Sequence, residues 1–151
     1  MTLLFPNGDN FATGAIRYDY RPVTATETTN RIILPVLIEN IPTEAVVDTG
    51  APYVICPPRI ARLAGIQDIQ PLERSKMLIR GMRLDGSIIR LSIKIVALEG
   101  ENLTVDATAF LPDVEEYWGD FPSFLGLTGF LERIRFAVDP NTDTFYFGQL
   151  V

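Results

Sequence analysis

The tripeptide Asp48-Thr49-Gly50 has the clearest capacity for chemistry in this sequence. The apolar runs at residues 45–47 and 53–56 flank it, so a strand delivers a carboxylate to a tight turn. Two carboxylates held about 3 Å apart share one proton, because both cannot ionise. One then acts as a base that activates water, and the other protonates a carbonyl oxygen. The arrangement suits the hydrolysis of peptide bonds.

Each residue of the tripeptide has its own predicted catalytic role. Asp48 supplies the carboxylate, Thr49 supplies a hydroxyl that ties two such loops together, and Gly50 lets the backbone turn sharply beside the carboxylates. Asp-Thr-Gly is also an ordinary turn sequence, which is the alternative interpretation. The apolar flanks favour the catalytic one, because charged and solvated residues are expected around a surface turn.

The composition excludes most other hydrolytic chemistries. Histidine is absent and Cys56 is the only cysteine, which excludes Ser-His-Asp triads, Cys-His pairs, His-ligated metals and thiolate cages. We expect no metal and no organic cofactor, and we expect Cys56 to be a buried core residue. The acidic stretch at residues 99–120 could bind Ca²⁺. It lacks an ordered ligand spacing, so a solvated acidic face is the favoured interpretation.

Charge and hydropathy indicate which partners to expect. The net charge is -6, which argues against nucleic acid as a partner because phosphate binding needs a basic face. No apolar stretch is long enough for a membrane span, and residues 1–10 lack the basic start of a signal peptide. We therefore expect a cytoplasmic protein with no membrane partner. The 151 residues fit a flexible N-terminal arm at 1–13 and one domain at 14–151.

Short apolar segments at regular spacing predict an all-β barrel or sandwich. The expected strands lie at residues 14–20, 31–39, 44–47, 53–56, 77–80, 88–98, 105–111, 124–127, 134–138 and 144–150. Pro35 predicts an edge position or a bulge, and residues 40–42 predict a turn. Short helices are expected at 59–64, ended by Gly65, and at 129–133.

A second motif, Phe124-Leu125-Gly126, lies late in the chain and precedes the second short helix. By itself it reads as a buried strand end. Combined with Asp48, its order and spacing resemble the retropepsin-like aspartic peptidases over residues 31–150. In that family an apolar-apolar-Gly strand packs under the catalytic loop. The resemblance implies a single-lobed, closed retropepsin-like β-barrel in which Phe124, Leu125 and Gly126 support the loop.

The resemblance also gives a role to the hairpin expected at residues 77–98. The family folds such a hairpin over the substrate as a flap, whose tip here would be residues 81–87. Asp85-Gly86 is a strong tight-turn signal for that tip. A plain β-hairpin is the alternative interpretation of the same residues. The implied substrate-binding residues are Ala51, Gly81, Met82, Arg83 and Gly86.

Two positions differ from the family pattern. Viral members commonly carry an acidic residue after Asp-Thr-Gly-Ala, where this chain has Pro52. The difference bears on contacts with the substrate ends and not on the chemistry. Many cellular members have Asp after the Leu-Gly segment, where this chain has Thr128, a residue that can still cap a short helix.

One Asp-Thr-Gly loop supplies only half of a two-carboxylate site. A two-fold homodimer would set Asp48 beside its own copy, with a peptide or protein substrate in the cleft across the axis. The prediction is therefore a homodimeric aspartic endopeptidase. Two alternatives stay open: a catalytically silent dimer of the same fold that binds peptides or proteins, and an unrelated β-barrel binding module in which Asp48 is a turn residue.

Overall fold

The computed structural model describes residues 3–66, 68–114 and 118–150, and these are dominated by β-strands. The strands are β1 (Gly14–Arg17), β2 (Asp19–Arg21), β3 (Arg31–Ile38), β4 (Ile41–Val47), β5 (Val54–Ile55), β6 (Glu73–Ile79), β7 (Met82–Ile95), β8 (Glu99–Gly100), β9 (Leu103–Pro112), β10 (Ser123–Leu125), β11 (Ile134–Asp139) and β12 (Thr144–Gln149). Helix α1 spans Pro58–Ala64, and a 3-10 turn spans Leu131–Arg133. The all-β prediction is confirmed. Within the described ranges, no helix has the length and apolar character needed to cross a membrane.

The larger sheet closes on itself as a barrel. Its strands follow the order β2-β3-β4-β10-β5-β9-β7-β6, and an additional pairing between β3 and β7 joins the two ends of the run. Ile89, Leu91, Ile93 and Ile95 alternate along β7 with their side chains in the core. Because alternate residues of this long strand point inward, β7 supplies one wall of the barrel interior.

The second sheet joins the two ends of the chain in the order β11-β12-β1-β8. Phe145 and Phe147 of β12 are fully buried and belong to the main core, so this sheet packs against the barrel. Residues 3–13 form a small hydrogen-bonded loop in which the Phe11 amide donates to the Leu3 carbonyl at 2.8 Å. The division into an arm at 1–13 and a domain at 14–151 stays a prediction.

The predicted single strand at residues 14–20 is wrong, because the chain changes sheets within it. Strand β1 ends at Arg17 in the terminal sheet, and β2 begins at Asp19 in the barrel sheet. Tyr18 lies at the crossing with its side chain buried in the main core. Its amide donates to the Asp143 carbonyl at 2.9 Å. An alternating pattern does not reveal the change, because both strands keep the same period.

Pro35 lies in β3 at a local edge, as predicted. On one side β3 pairs with β4 along its length. On the other side β2 pairs only as far as Ile33, and β7 begins to pair at Leu37. Pro35 therefore falls in the gap between two partner strands, where no ladder hydrogen bond is lost.

The turn predicted at residues 40–42 is displaced by one residue. The turn residues are Glu39 and Asn40, with φ of 47° and 68°, and Ile41 already pairs with Ile38. Positive φ at both positions is the signature of a two-residue type I′ hairpin. Pro42 was the misleading signal, and β4 tolerates it because its second partner, β10, pairs only at residues 45–47.

The predicted hairpin is present as β6 and β7, but its turn lies at Arg80 and Gly81, with φ of 53° and 79°. The Asp85-Gly86 turn prediction is wrong. Gly86 lies inside β7, and a Cβ atom there would lie 2.5 Å from the ring of Phe110. The chain therefore needs glycine at this position for close packing and not for a turn.

Candidate active site

The Asp48 loop is held between two strands of the barrel. Ala45 and Val46 of β4 are fully buried, which fixes the strand that leads into the loop. Strand β10 runs parallel to β4, with Leu125 opposite Val47. The Asp48 amide donates to the Leu125 carbonyl at 3.0 Å. The structure therefore brings the two sequence motifs together.

The loop itself orients the carboxylate. The Gly50 amide donates to Asp48 Oδ1 at 2.9 Å, and the Ala51 amide donates to the Asp48 carbonyl at 3.2 Å. Asp48 is half-buried, whereas Thr49 and Gly50 are exposed. Among the described residues, the Thr49 hydroxyl has no hydrogen-bond partner. A fixed carboxylate thus stands beside an uncommitted hydroxyl.

Gly126 lies where the backbone after β10 touches the far side of this loop. A Cβ atom at Gly126 would lie 2.2 Å from the Tyr53 carbonyl oxygen and 2.7 Å from the Ala51 carbonyl oxygen. The Leu127 amide donates to Ala51 at 2.7 Å across the same contact. Only glycine permits this approach, so the third residue of the second motif has a steric reason to be small.

A cleft of about 290 Å³ opens beside Asp48. The described residues that line it come from the Asp48 loop, from β5, from the β6–β7 hairpin, from β10 and the segment before it, and from the start of β3 and the segment before it: Glu27, Arg31, Asp48, Gly50, Ala51, Pro52, Ile55, Met77, Leu78, Ile79, Arg80, Phe121 and Phe124. The carboxylate is therefore accessible from a cavity that the hairpin partly covers.

The hairpin residues in the cleft differ from those predicted. Ala51 lines the cleft as expected, but Gly81, Met82, Arg83 and Gly86 lie outside its lining. The turn comes at residues 80–81, so strand β6 and not the segment after Gly81 faces Asp48. The part of the cleft lining that the hairpin supplies is Met77, Leu78, Ile79 and Arg80.

The tip of the hairpin is tied to the segment before β10. The Arg80 guanidinium carbon lies 3.3 Å from the centroid of the Phe121 ring, a cation–π contact. Phe121 stacks on Phe124 with their ring centroids 6.0 Å apart, and Trp118 packs edge-on against both rings. Trp118 is therefore a packed residue, while its neighbour Tyr117 lies outside the described residues.

Arg31 is a cleft residue that no sequence pattern singled out. It opens β3 and reads as the polar first residue of an apolar strand. In the structure it lines the cleft, and its Nε atom is buried without a hydrogen-bond partner. Only the spatial arrangement distinguishes it, because a single sequence does not show which arginines find carboxylates.

The other predicted features lie away from this chemistry. Cys56 is fully buried as predicted, and burial raises the pKa of its thiol to about 12. Within the acidic stretch, Asp106 pairs with Arg90 at 3.0 Å and Asp113 pairs with Arg74, while Glu115 and Glu116 lie outside the described residues. The part of the chain that the structure describes contains no group of three or more His, Cys, Asp or Glu placed to hold a metal ion.

Comparison with known proteins gives matches only at the level of structure. No protein-family profile and no curated protein sequence matches the chain. A retropepsin-like aspartic protease from Rickettsia conorii is 19% identical, covers 91% of this chain and 94% of its own, and has a TM-score of 0.54. The retroviral protease-like domain of Ddi1 from Leishmania major is 17% identical, covers 80% of this chain and 94% of its own, and has a TM-score of 0.53.

This chain has the retropepsin-like fold. The predicted fold class is therefore confirmed, including the closure of the barrel through β3 and β7. At this level of identity the comparison concerns the fold alone. Within the retropepsin-like barrel, the Asp48 loop lies between β4 and β5 and borders the cleft.

Proposed function

We propose that this chain is an aspartic endopeptidase that works as a homodimer and hydrolyses peptide bonds with water activated between two Asp48 carboxylates. The observation that carries the proposal is the Asp48 carboxylate itself. It is oriented by the Gly50 amide and faces a cleft of about 290 Å³ in a retropepsin-like fold. A carboxylate oriented by the backbone beside a covered cleft suits proton transfer to a bound peptide.

The reaction requires one proton shared by the two Asp48 side chains. The ionised carboxylate takes a proton from water as the water oxygen attacks the carbonyl carbon of the substrate. The protonated carboxyl donates its proton to the carbonyl oxygen, which gives a tetrahedral diol. Collapse of the diol breaks the C–N bond, and the leaving amine takes up a proton from the pair.

Dimerisation is proposed because one chain supplies one such loop. Thr49 and Gly50 are exposed at the end of the loop, so a second copy can approach there. A two-fold axis beside Asp48 would bring the two carboxylates together and let each Thr49 hydroxyl bond to the opposite loop. The free hydroxyl of Thr49 supports this arrangement.

The test is cleavage of a broad peptide library by the wild-type protein and by Asp48→Asn. The amide oxygen of asparagine keeps an acceptor for the Gly50 amide, so we expect the variant to remain folded and dimeric but to cleave nothing. Asp106→Asn is the matched control, because Asp106 is an exposed acid outside the cleft lining. Cleavage by Asp48→Asn at the wild-type rate would rule out the proposed chemistry.

A silent peptide-binding dimer is the second candidate function. The apolar hairpin residues Met77, Leu78 and Ile79 in the cleft would hold an extended peptide whether or not water is activated. Peptide binding by both the wild type and Asp48→Asn, with cleavage by neither, would identify this function.

A further inference from the structure

Arg31 carries a positive charge in the cleft that no described residue pairs with. Its Nε–H group is buried and donates to no acceptor among the described residues. Within the described part of the chain, its guanidinium also makes no ion pair. Removing a charged donor from water without an acceptor is costly. A ligand that supplied an acceptor at this point would therefore gain binding free energy.

Several arginines elsewhere on the surface are paired with carboxylates. These pairs are Arg21–Glu44, Arg74–Asp113 and Arg90–Asp106. All of these side chains are well exposed, whereas Arg31 is half-buried at the cleft. An acceptor therefore matters more for Arg31 than for the paired arginines, yet no described residue supplies one.

The carboxylates that share the cleft with Arg31 do not satisfy it. Glu27 lines the same cleft but forms no ion pair with Arg31 in the described structure. The Asp48 carboxylate accepts from the Gly50 amide. Arg80, the second cation of the lining, lies over the Phe121 ring. The donors of the Arg31 guanidinium therefore remain for a bound molecule.

We propose that Arg31 is a specificity-determining residue that binds a carboxylate of the substrate, so that acidic peptides are preferred. The inference rests on the proposed peptidase function and deepens it. A guanidinium presents a planar pair of donors that matches a carboxylate, and the pairing strengthens in a partly buried site. In a two-fold dimer both copies of Arg31 border the site, so an acidic residue is favoured at symmetric positions on either side of the cleaved bond.

The test compares blocked peptides that are identical except for Glu, Gln or Lys at one scanned position. With blocked termini, the Glu side chain is the only carboxylate in the peptide. A second set of peptides with a free C-terminus tests whether Arg31 binds the terminal carboxylate instead. We expect wild-type kcat/KM to favour Glu over Gln by about tenfold to a hundredfold, the range for a hydrogen bond to a charged group.

Variants of Arg31 then assign the preference. Arg31→Gln should reduce the Glu-to-Gln ratio of kcat/KM to about one, while Arg31→Lys should retain part of the preference. Arg17→Gln is the matched control, because Arg17 is an exposed arginine of the terminal sheet and lies outside the cleft lining. If Arg31→Gln does not fold, the wild-type comparison of Glu, Gln and Lys peptides decides alone.

Two results would overturn the inference: no discrimination between carboxylate-bearing and neutral peptides by the wild type, or full discrimination in Arg31→Gln. Failure of the peptidase function itself gives a different result, namely no cleavage of any peptide. In that event calorimetric binding of the same peptides to Asp48→Asn decides the role of Arg31. Tighter binding of the Glu peptide would support it, and equal binding of all three would refute it.

Discussion

Replacing Gly126 with alanine adds one methyl group where two backbone segments meet beneath the Asp48 loop. The added Cβ would lie 2.2 Å from the Tyr53 carbonyl oxygen, 2.6 Å from the Tyr53 carbonyl carbon and 2.7 Å from the Ala51 carbonyl oxygen. Cβ atoms in proteins essentially never approach other atoms more closely than 3.0 Å. Each obstacle is backbone, so no flexible side chain can move aside. The loop or β10 must shift instead.

The expected cost follows from this geometry. Overpacking a well-packed site costs about 1–3 kcal/mol, and a clash with fixed backbone on two sides belongs at the upper end, about 3 kcal/mol. For a domain of this size, a loss of that magnitude lowers Tm by roughly 6–12 °C. Because the Leu127 amide donates to Ala51 across the same contact, displacement of the loop should also reduce any peptidase activity.

Denaturant unfolding followed by Trp118 fluorescence measures the change, since Trp118 is the only tryptophan and is buried close to Phe124. Gly8→Ala is the matched control. Gly8 has φ of 91° and no atom within 4 Å of an added Cβ, so it should cost only the backbone strain of about 1–2 kcal/mol. A free energy of unfolding for Gly126→Ala within about 0.5 kcal/mol of wild type would refute the steric argument.

Three further predictions concern the core, the hairpin and an ion pair. Burial raises the pKa of Cys56 to about 12, so a thiol reagent at mildly alkaline pH should label it only after unfolding; prompt labelling of the native protein would contradict its burial. Gly86→Asn should lower Tm more than Gly81→Asn, because a side chain at residue 86 would meet the Phe110 ring, whereas Gly81 is in the left-handed region that asparagine tolerates. The reverse order would indicate that the turn lies at Asp85-Gly86 after all. The Arg74 guanidinium lowers the pKa of the Asp113 carboxyl, so this pair stabilises the fold above the ordinary carboxyl pKa and loses its effect as pH falls through the lowered value. Asp113→Asn should therefore lower Tm at neutral pH but not in strong acid, and a Tm difference that is independent of pH would exclude the ion pair as its cause.

The Asp48 loop and its support were predictable because both are local patterns. An apolar strand that ends in Asp48 and a later Phe124-Leu125-Gly126 are visible in the sequence, and the structure pairs Leu125 with Val47. The alternation of β7 was equally visible, because one face of that strand is buried along most of its length.

The turns of the hairpins were less predictable, because glycine has more than one use. Asp85-Gly86 carries a strong turn signal, yet the ring of Phe110 occupies the space where a side chain at Gly86 would lie. The true turn uses Arg80 at φ of 53°, a conformation for which arginine gives no sequence signal. Because the turn was predicted too late in the chain, the predicted contact residues fell after the true turn. The hairpin residues that line the cleft instead lie in β6 and at the turn.

Features that depend on distant residues could not be read from one sequence. The pairing of β3 with β7 closes the barrel through Ile38 and Ile93, which are far apart along the chain. Arg31 likewise becomes a site residue only because the fold brings it to the Asp48 cleft, where its Nε–H group has no acceptor among the described residues.

The central claim is that each active site is built from two copies of Asp48, and a mixing experiment tests it most directly. Wild-type protein is allowed to exchange subunits with increasing proportions of Asp48→Asn at constant total protein, and cleavage is measured. If each site needs both carboxylates, activity should fall as the square of the wild-type fraction, because mixed dimers are inactive. Activity that falls only in proportion to the wild-type fraction would mean that one chain suffices, and the dimeric site would be wrong.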